Sequence, residues 1–184
     1  MDTAHTARLP AATVASPIVV CMCVCWSCPF SVQDPRFNLR RLYLPAMADA
    51  QKVLHVFGEL CRQHLKGRGL WAHVERVGVS HAMFATEWLL TMFCRGFSFD
   101  LVTRVWDAFL LEGYKIVYRV ALALVKSMET QLLEADFEAS MALFRNLPKI
   151  VDADKVMDMA FALPLKRAHI AAAERQYDET LKNK

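Results

Sequence analysis

Three apolar stripes in a row, each at helical spacing, constrain this chain more than any other feature. Phe84, Trp88, Leu89, Met92 and Phe93 recur at intervals of about three and four, so they share one face of a helix. Ser80 stands ahead of that run, where its hydroxyl can accept from a free first-turn amide, and Gly96 closes it. Ser98 is placed to cap a second helix, whose broad stripe is Leu101, Val102, Val105, Trp106, Phe109 and Leu110. Gly113 then stands where a left-handed residue is wanted at a helix end. The third stripe, Ile116, Val117, Val120, Ala121, Leu124 and Val125, leaves Lys115, Arg119 and Lys126 to solvent. Helices joined by so few residues pack as antiparallel or steeply crossed neighbours, and the aromatics read as core. Asp107, in mid-helix, reads equally as a solvated acid or a buried structural one.

The same periodicity continues on both sides. Pro45 suits the first turn of a helix carrying Met47, Ala50, Val53, Leu54, Phe57, Leu60, Cys61 and Leu65, which Gly67 and Gly69 then break. Trp71, Val74 and Val77 predict a short helix up to Gly78. Asp136 can cap residues 137–147, with Pro148 as the stop, and residues 150–163 form the next candidate. The last twenty residues, 165–184, are rich in Ala, Glu, Lys and Arg and predict a terminal helix that frays. Nothing from Phe37 onward alternates with period two, so the fold class is all-α.

Composition narrows the function classes. The chain has 184 residues, one domain's worth, and 55% are hydrophobic, above the usual ~45–50%. With a mean hydropathy of +0.21, that suits a piece of a larger helical domain, or a chain with a partner. A net charge of +3, scattered over Arg40, Arg41, Lys66 and Arg68 among others, gives no basis for nucleic-acid binding. His55, His64, His73 and His81 do not pair with Cys or Asp at a catalytic or metal-binding spacing, and they read as surface or interface residues. Cys61 and Cys94 lie on apolar stripes and read as reduced core residues.

Residues 1–36 differ in character. Around Cys21, Cys23, Cys25 and Cys28 the chain is biased toward valine and cysteine. Four thiols could chelate a soft cation, but no second, separated ligand pair follows. The apolar run from Ile18 to Trp26 is far short of the ~20 residues that a membrane span needs. The favoured reading is that alternating Val and Cys reflect a repeated T-G dinucleotide. Such a repeat read as protein, or a misplaced start, would give this composition, and the segment is then expected to have no folded role.

From about Phe37 to about Pro164 the chain resembles the C-terminal half of the TBC domain of Rab GTPase-activating proteins. Three segments carry the likeness. Residues 39–45, Leu-Arg-Arg-Leu-Tyr-Leu-Pro, look like the family's turn into a later helix. Ala85-Thr86-Glu87-Trp88-Leu89-Leu90 resembles its Ala-Thr-Gln-Trp-Phe-Leu, with Glu87 where Gln is usual. Arg104-Val105-Trp106-Asp107, continuing to Leu111-Glu112-Gly113, resembles its Arg-Ile-Trp-Asp…Leu-Glu-Gly. The resemblance implies a partial TBC-like domain at 37–164, followed by a C-terminal helical tail at 165–184.

It also implies a partner, a small GTPase of the Rab type, and a cytoplasmic location, at endomembrane surfaces through that partner. Such activators insert an arginine that neutralises charge between the β- and γ-phosphates, worth roughly 10³–10⁵ in rate. TBC proteins supply it from an Ile-x-x-Asp-x-x-Arg motif and add a glutamine from Tyr-x-Gln. Gln33-Asp34-Pro35-Arg36 has the wrong spacing for the first. None of Tyr43, Tyr114, Tyr118 and Tyr177 has glutamine two positions later, and Gln176 precedes its tyrosine. Arg95, Arg104 and Arg119 are candidates by residue type alone, and Arg104 reads first as structural. No catalytic, cofactor-binding or metal residue is therefore assigned. The expected function is a Rab-activator fragment that is inactive alone; the alternative is a TBC-like binding or scaffold module without fingers.

Overall fold

The structure, a computed structural model, describes residues 39–43 and 47–183. The Val/Cys-biased segment and the helix start expected at Pro45 lie outside the described residues. Within them a 3-10 turn at Leu39–Tyr43 leads into α1 (Ala48–His64), and a second at Gly67–Gly69 leads into α2 (Leu70–Arg76). Then follow α3 (His81–Leu90), α4 (Phe99–Glu112), α5 (Tyr114–Ser127), α6 (Glu129–Glu134), α7 (Phe137–Ile150), α8 (Ala153–Ala162) and α9 (Arg167–Lys182). No strand occurs among the described residues, and the fold is all-α.

Helix α5 is the hub. Ile116, Val117, Val120, Ala121, Leu122, Ala123, Leu124 and Val125 are fully buried, so most of this helix's circumference is apolar and needs cover from several neighbours. α1, α3, α4 and α8 supply it. Each of the larger side chains contributes roughly 1.5–3 kcal/mol by leaving water. The expectation that Lys115, Arg119 and Lys126 all face solvent is corrected here. Lys126 is exposed, but the Arg119 side chain is only 13% accessible. Its guanidinium reaches Glu112.

The caps form where the sequence places them. Ser80 accepts from the Ala82 amide (3.4 Å), Ser98 from Leu101 (3.4 Å) and Asp136 from Ala139 (2.8 Å). Other boundaries shift for local reasons. α7 runs through Pro148 to Ile150, because proline already holds a helical φ and near a helix end removes only one backbone bond. Asp152 accepts from the amides of Asp154 and Lys155, so the helix expected from 150 begins at Ala153 instead. α3 stops at Leu90, short of Gly96, because Met92 and Phe93 take φ of 51° and 62°. That left-handed pair costs about 1–2 kcal/mol per residue. It is held by burial, with Phe93 edge-on to Phe97 at 5.3 Å.

Two contacts fix α1. Gly58 lets α3 approach, since the His81 ring lies 2.8 Å from where a Cβ on Gly58 would stand. Along its other side lies α9, which was expected to fray. Lys52 binds Asp178 at 2.8 Å, the rings of His55 and Tyr177 are 5.2 Å apart, and His64 Nε2 lies 3.2 Å from His169 Nδ1. The buried Ala173 sets this interface close. α4 is less fully covered than its stripe suggests: Leu101, Val102, Val105 and Phe109 are buried, Trp106 is half-buried and Leu110 is 56% exposed.

Candidate functional site

The motif residues form a frame. Trp88 is buried on α3, packing against Phe84 (5.1 Å), Phe97 (5.7 Å) and Phe144 (6.0 Å) between ring centroids. Across α4 and α5, Trp106 meets Phe109 edge-on at 5.9 Å, and Phe109 meets Tyr114 at 5.6 Å. Gly113 ends α4 and caps α5 at once, with φ 69° and ψ −153°, a conformation open essentially to glycine. Beside this corner Glu112 accepts from Lys115 Nζ (3.1 Å) and from Arg119 Nη1 (3.3 Å). Asp107 is exposed, which resolves its ambiguity toward solvent.

The three arginines equal by residue type are separated by their surroundings. Arg119 bridges Glu112 and the Leu165 carbonyl (3.5 Å), tying α5 to the chain beyond α8. Arg104 reaches Asp100 at 3.1 Å and also Asp154, joining α4 to α8. Arg95 follows the strained turn, is 66% exposed, and pairs with Glu87 at 2.8 Å. Of the three, Arg95 alone lines the groove described below.

That groove has a volume of about 370 Å³ and runs between α3 and α7. Phe84, Trp88 and Phe144 form its floor; Arg95, Arg145, Lys149 and Glu87 stand around it. Arg145 and Lys149 were missed from sequence. The signal was legible: Met141, Arg145 and Lys149 repeat at intervals of four, which places them on one face of α7.

The tyrosines and histidines have structural neighbours. Tyr43 donates to the Leu90 carbonyl, and Tyr118 is buried, which pushes its phenol up, with Glu174 adding to the shift. Tyr177 packs on His55. Gln176 is exposed on α9. His73 Nε2 lies 3.0 Å from the Ala135 carbonyl, linking α2 to the turn after α6. Burial holds His81 below the ordinary histidine value, helped by Arg62 and His55. Among the described residues no group of three His, Cys, Asp or Glu side chains is placed to hold a metal ion. No helix among them is long and apolar enough to cross a membrane.

An all-helical frame with this Trp-Asp and Leu-Glu-Gly corner defines a TBC-type module. The Rab-GTPase-TBC domain model matches residues 28–133, and the chain belongs to that family. It is similar to the ecotropic viral integration site 5 protein homolog of Homo sapiens, 29% identical over 160 residues, or 85% of this chain and 19% of that protein. It is also similar to the Rab GTPase-activating protein eat-17 of Caenorhabditis elegans, 27% identical over 144 residues, 77% of this chain and 16% of that protein. Carabin of Mus musculus is 39% identical over 95 residues, 52% of this chain and 21% of that protein. The chain thus spans about a fifth or less of the length of the first curated relatives it matches.

Proposed function

We propose that this chain contributes the supporting portion of a Rab GTPase activator, engages a Rab-type GTPase, and does not by itself accelerate GTP hydrolysis. One observation carries the reading. Trp88, Trp106 and Gly113, which carry the likeness to the family's helical signatures, stand within a packed helical frame, while neither finger motif can be placed on a residue of the 184. The surroundings of the arginines support it. Arg104 and Arg119 are engaged by Asp100, Asp154 and Glu112, within the chain's own fold. A cation neutralised at home is poorly placed to stabilise charge on a phosphoryl group. The name of the eat-17 relative, a Rab GTPase-activating protein, supports the choice of partner.

The test is phosphate release from a panel of GTP-loaded Rab proteins mixed with the purified chain. The expected result is saturable binding with no change in hydrolysis rate. Acceleration of even one Rab would overturn the proposal.

A second reading, a self-standing binding module, is favoured by the core. Buried apolar residues run continuously from Leu39 to Ala173, so the described helices cover one another without a further layer over α5. It predicts a cooperative unfolding transition for the isolated chain.

A further inference from the structure

We propose that the groove between α3 and α7 is a docking site for an acidic amphipathic segment of a partner protein. Three features argue for that occupant. First, the walls are two helix faces that offer apolar side chains at the mouth: Met83 is 54% exposed, and Met141 and Pro148 are half-buried. Thioethers are flexible and polarisable, so such a mouth adapts to an aliphatic anchor.

Second, the charge is lopsided. Arg145 and Lys149 are exposed, and among the described residues neither has a carboxylate partner. Arg95 has one, Glu87, at 2.8 Å. Three cations against one carboxylate attract an anionic segment. Third, Arg95 is delivered by a strained turn. Met92 and Phe93 hold positive φ, and Gly96 brings the chain to within 3.5 Å (from an added Cβ) of Pro148 on the opposite wall. Strain of this kind persists where surrounding packing over-determines it, and it is characteristic of ligand clamps.

A carboxylate-bearing peptide suits this groove better than a lipid headgroup. A polyphosphate headgroup would leave the apolar mouth unused. A helix with leucines on one face and glutamates on the flanks uses both.

The experiment is fluorescence anisotropy on the full chain, with a labelled peptide carrying leucines at helical spacing and glutamates between them. The expected result is saturable binding that weakens with salt. The double reversal Arg145→Glu and Lys149→Glu, both at exposed positions, should weaken it about tenfold. Met83→Asp should weaken it as well, with circular dichroism unchanged in both variants. A control peptide with lysines in place of the glutamates should not bind. Equal binding of the two peptides, or an unchanged affinity in the double variant, would overturn the proposal. So would binding to phosphatidylcholine vesicles doped with phosphatidylinositol bisphosphate when the acidic peptide does not bind.

Discussion

Phe144 of α7 lies flat on Phe84 of α3, with ring centroids 3.8 Å apart and planes 1° apart. Phe84 also meets Phe57 of α1 edge-on at 6.4 Å, so one ring links α7 to the hub side of the fold. Phe144 is 2% exposed. Phe144→Ala should therefore cost about 3–5 kcal/mol, and Phe144→Leu markedly less, since it keeps most of the volume. Urea denaturation followed by circular dichroism measures both. A loss under about 1 kcal/mol for the alanine variant would be inconsistent with a core ring.

The α4–α5 corner gives a second expectation. At φ 69° and ψ −153°, Gly113 adopts a backbone geometry that a Cβ strains whatever space surrounds it. Gly113→Ala should destabilise the chain by roughly 1–3 kcal/mol. Because Glu112 and Arg119 pair across this corner, it should also loosen their contact. A Gly113→Ala variant as stable as the parent in the same melt would mean that the corner relaxes freely.

How far the sequence revealed this fold depends on what each signal encodes. Period-three-and-four stripes report only on burial along one helix, and they gave the helices and the caps at Ser80, Ser98 and Asp136 directly. They do not report which other helix covers a face. For that reason Arg119 was misjudged: on a helix wheel it is a polar position, but in the fold it is enclosed between α4 and the chain after α8. Trp106 erred the other way, a large apolar residue on the stripe's edge that the neighbours only half cover. The end of α3 was hidden as well, because residues 92 and 93 adopt left-handed φ without being glycine, and only tertiary burial stabilises that. The groove was the least legible feature. Its cations come from a turn after α3 and from α7, some fifty residues apart in sequence, and no local pattern joins Arg95 to Arg145.

Acid should weaken the docking of α9 on α1. His64 Nε2 and His169 Nδ1 are 3.2 Å apart, a contact that needs at least one neutral ring. Partial burial first, and His169 second, hold His64 below the ordinary value of about 6.5. The folded chain thus resists a proton that the unfolded chain accepts. Between the lowered folded value and about pH 6.5 the unfolded state binds more protons, so this stability is full above that window and is lost as pH falls through it. Unfolding free energy from urea melts should therefore be smaller near about pH 5.5 than near about pH 7.5, and His64→Gln should flatten part of the slope. Stability that rose on acidification would contradict this linkage.

Thiol chemistry offers a check on the core that needs no substitution. Cys61 is fully buried on α1, and its thiol is held well above the usual range, chiefly by loss of solvation. Arg62 nearby pulls the other way and Glu75 adds to the rise, but burial dominates. Both the access route and the reactive thiolate are therefore denied to an alkylating reagent in the native state. Maleimide labelling at neutral pH, followed by peptide mapping, should leave Cys61 unmodified until urea unfolds the chain, and then label it fully. The onset of labelling should coincide with the loss of helical signal, because α1 is packed against α3, α5 and α9. Labelling well below that transition would mean that α1 opens independently, and the shared core around α5 would then have to be redrawn without it.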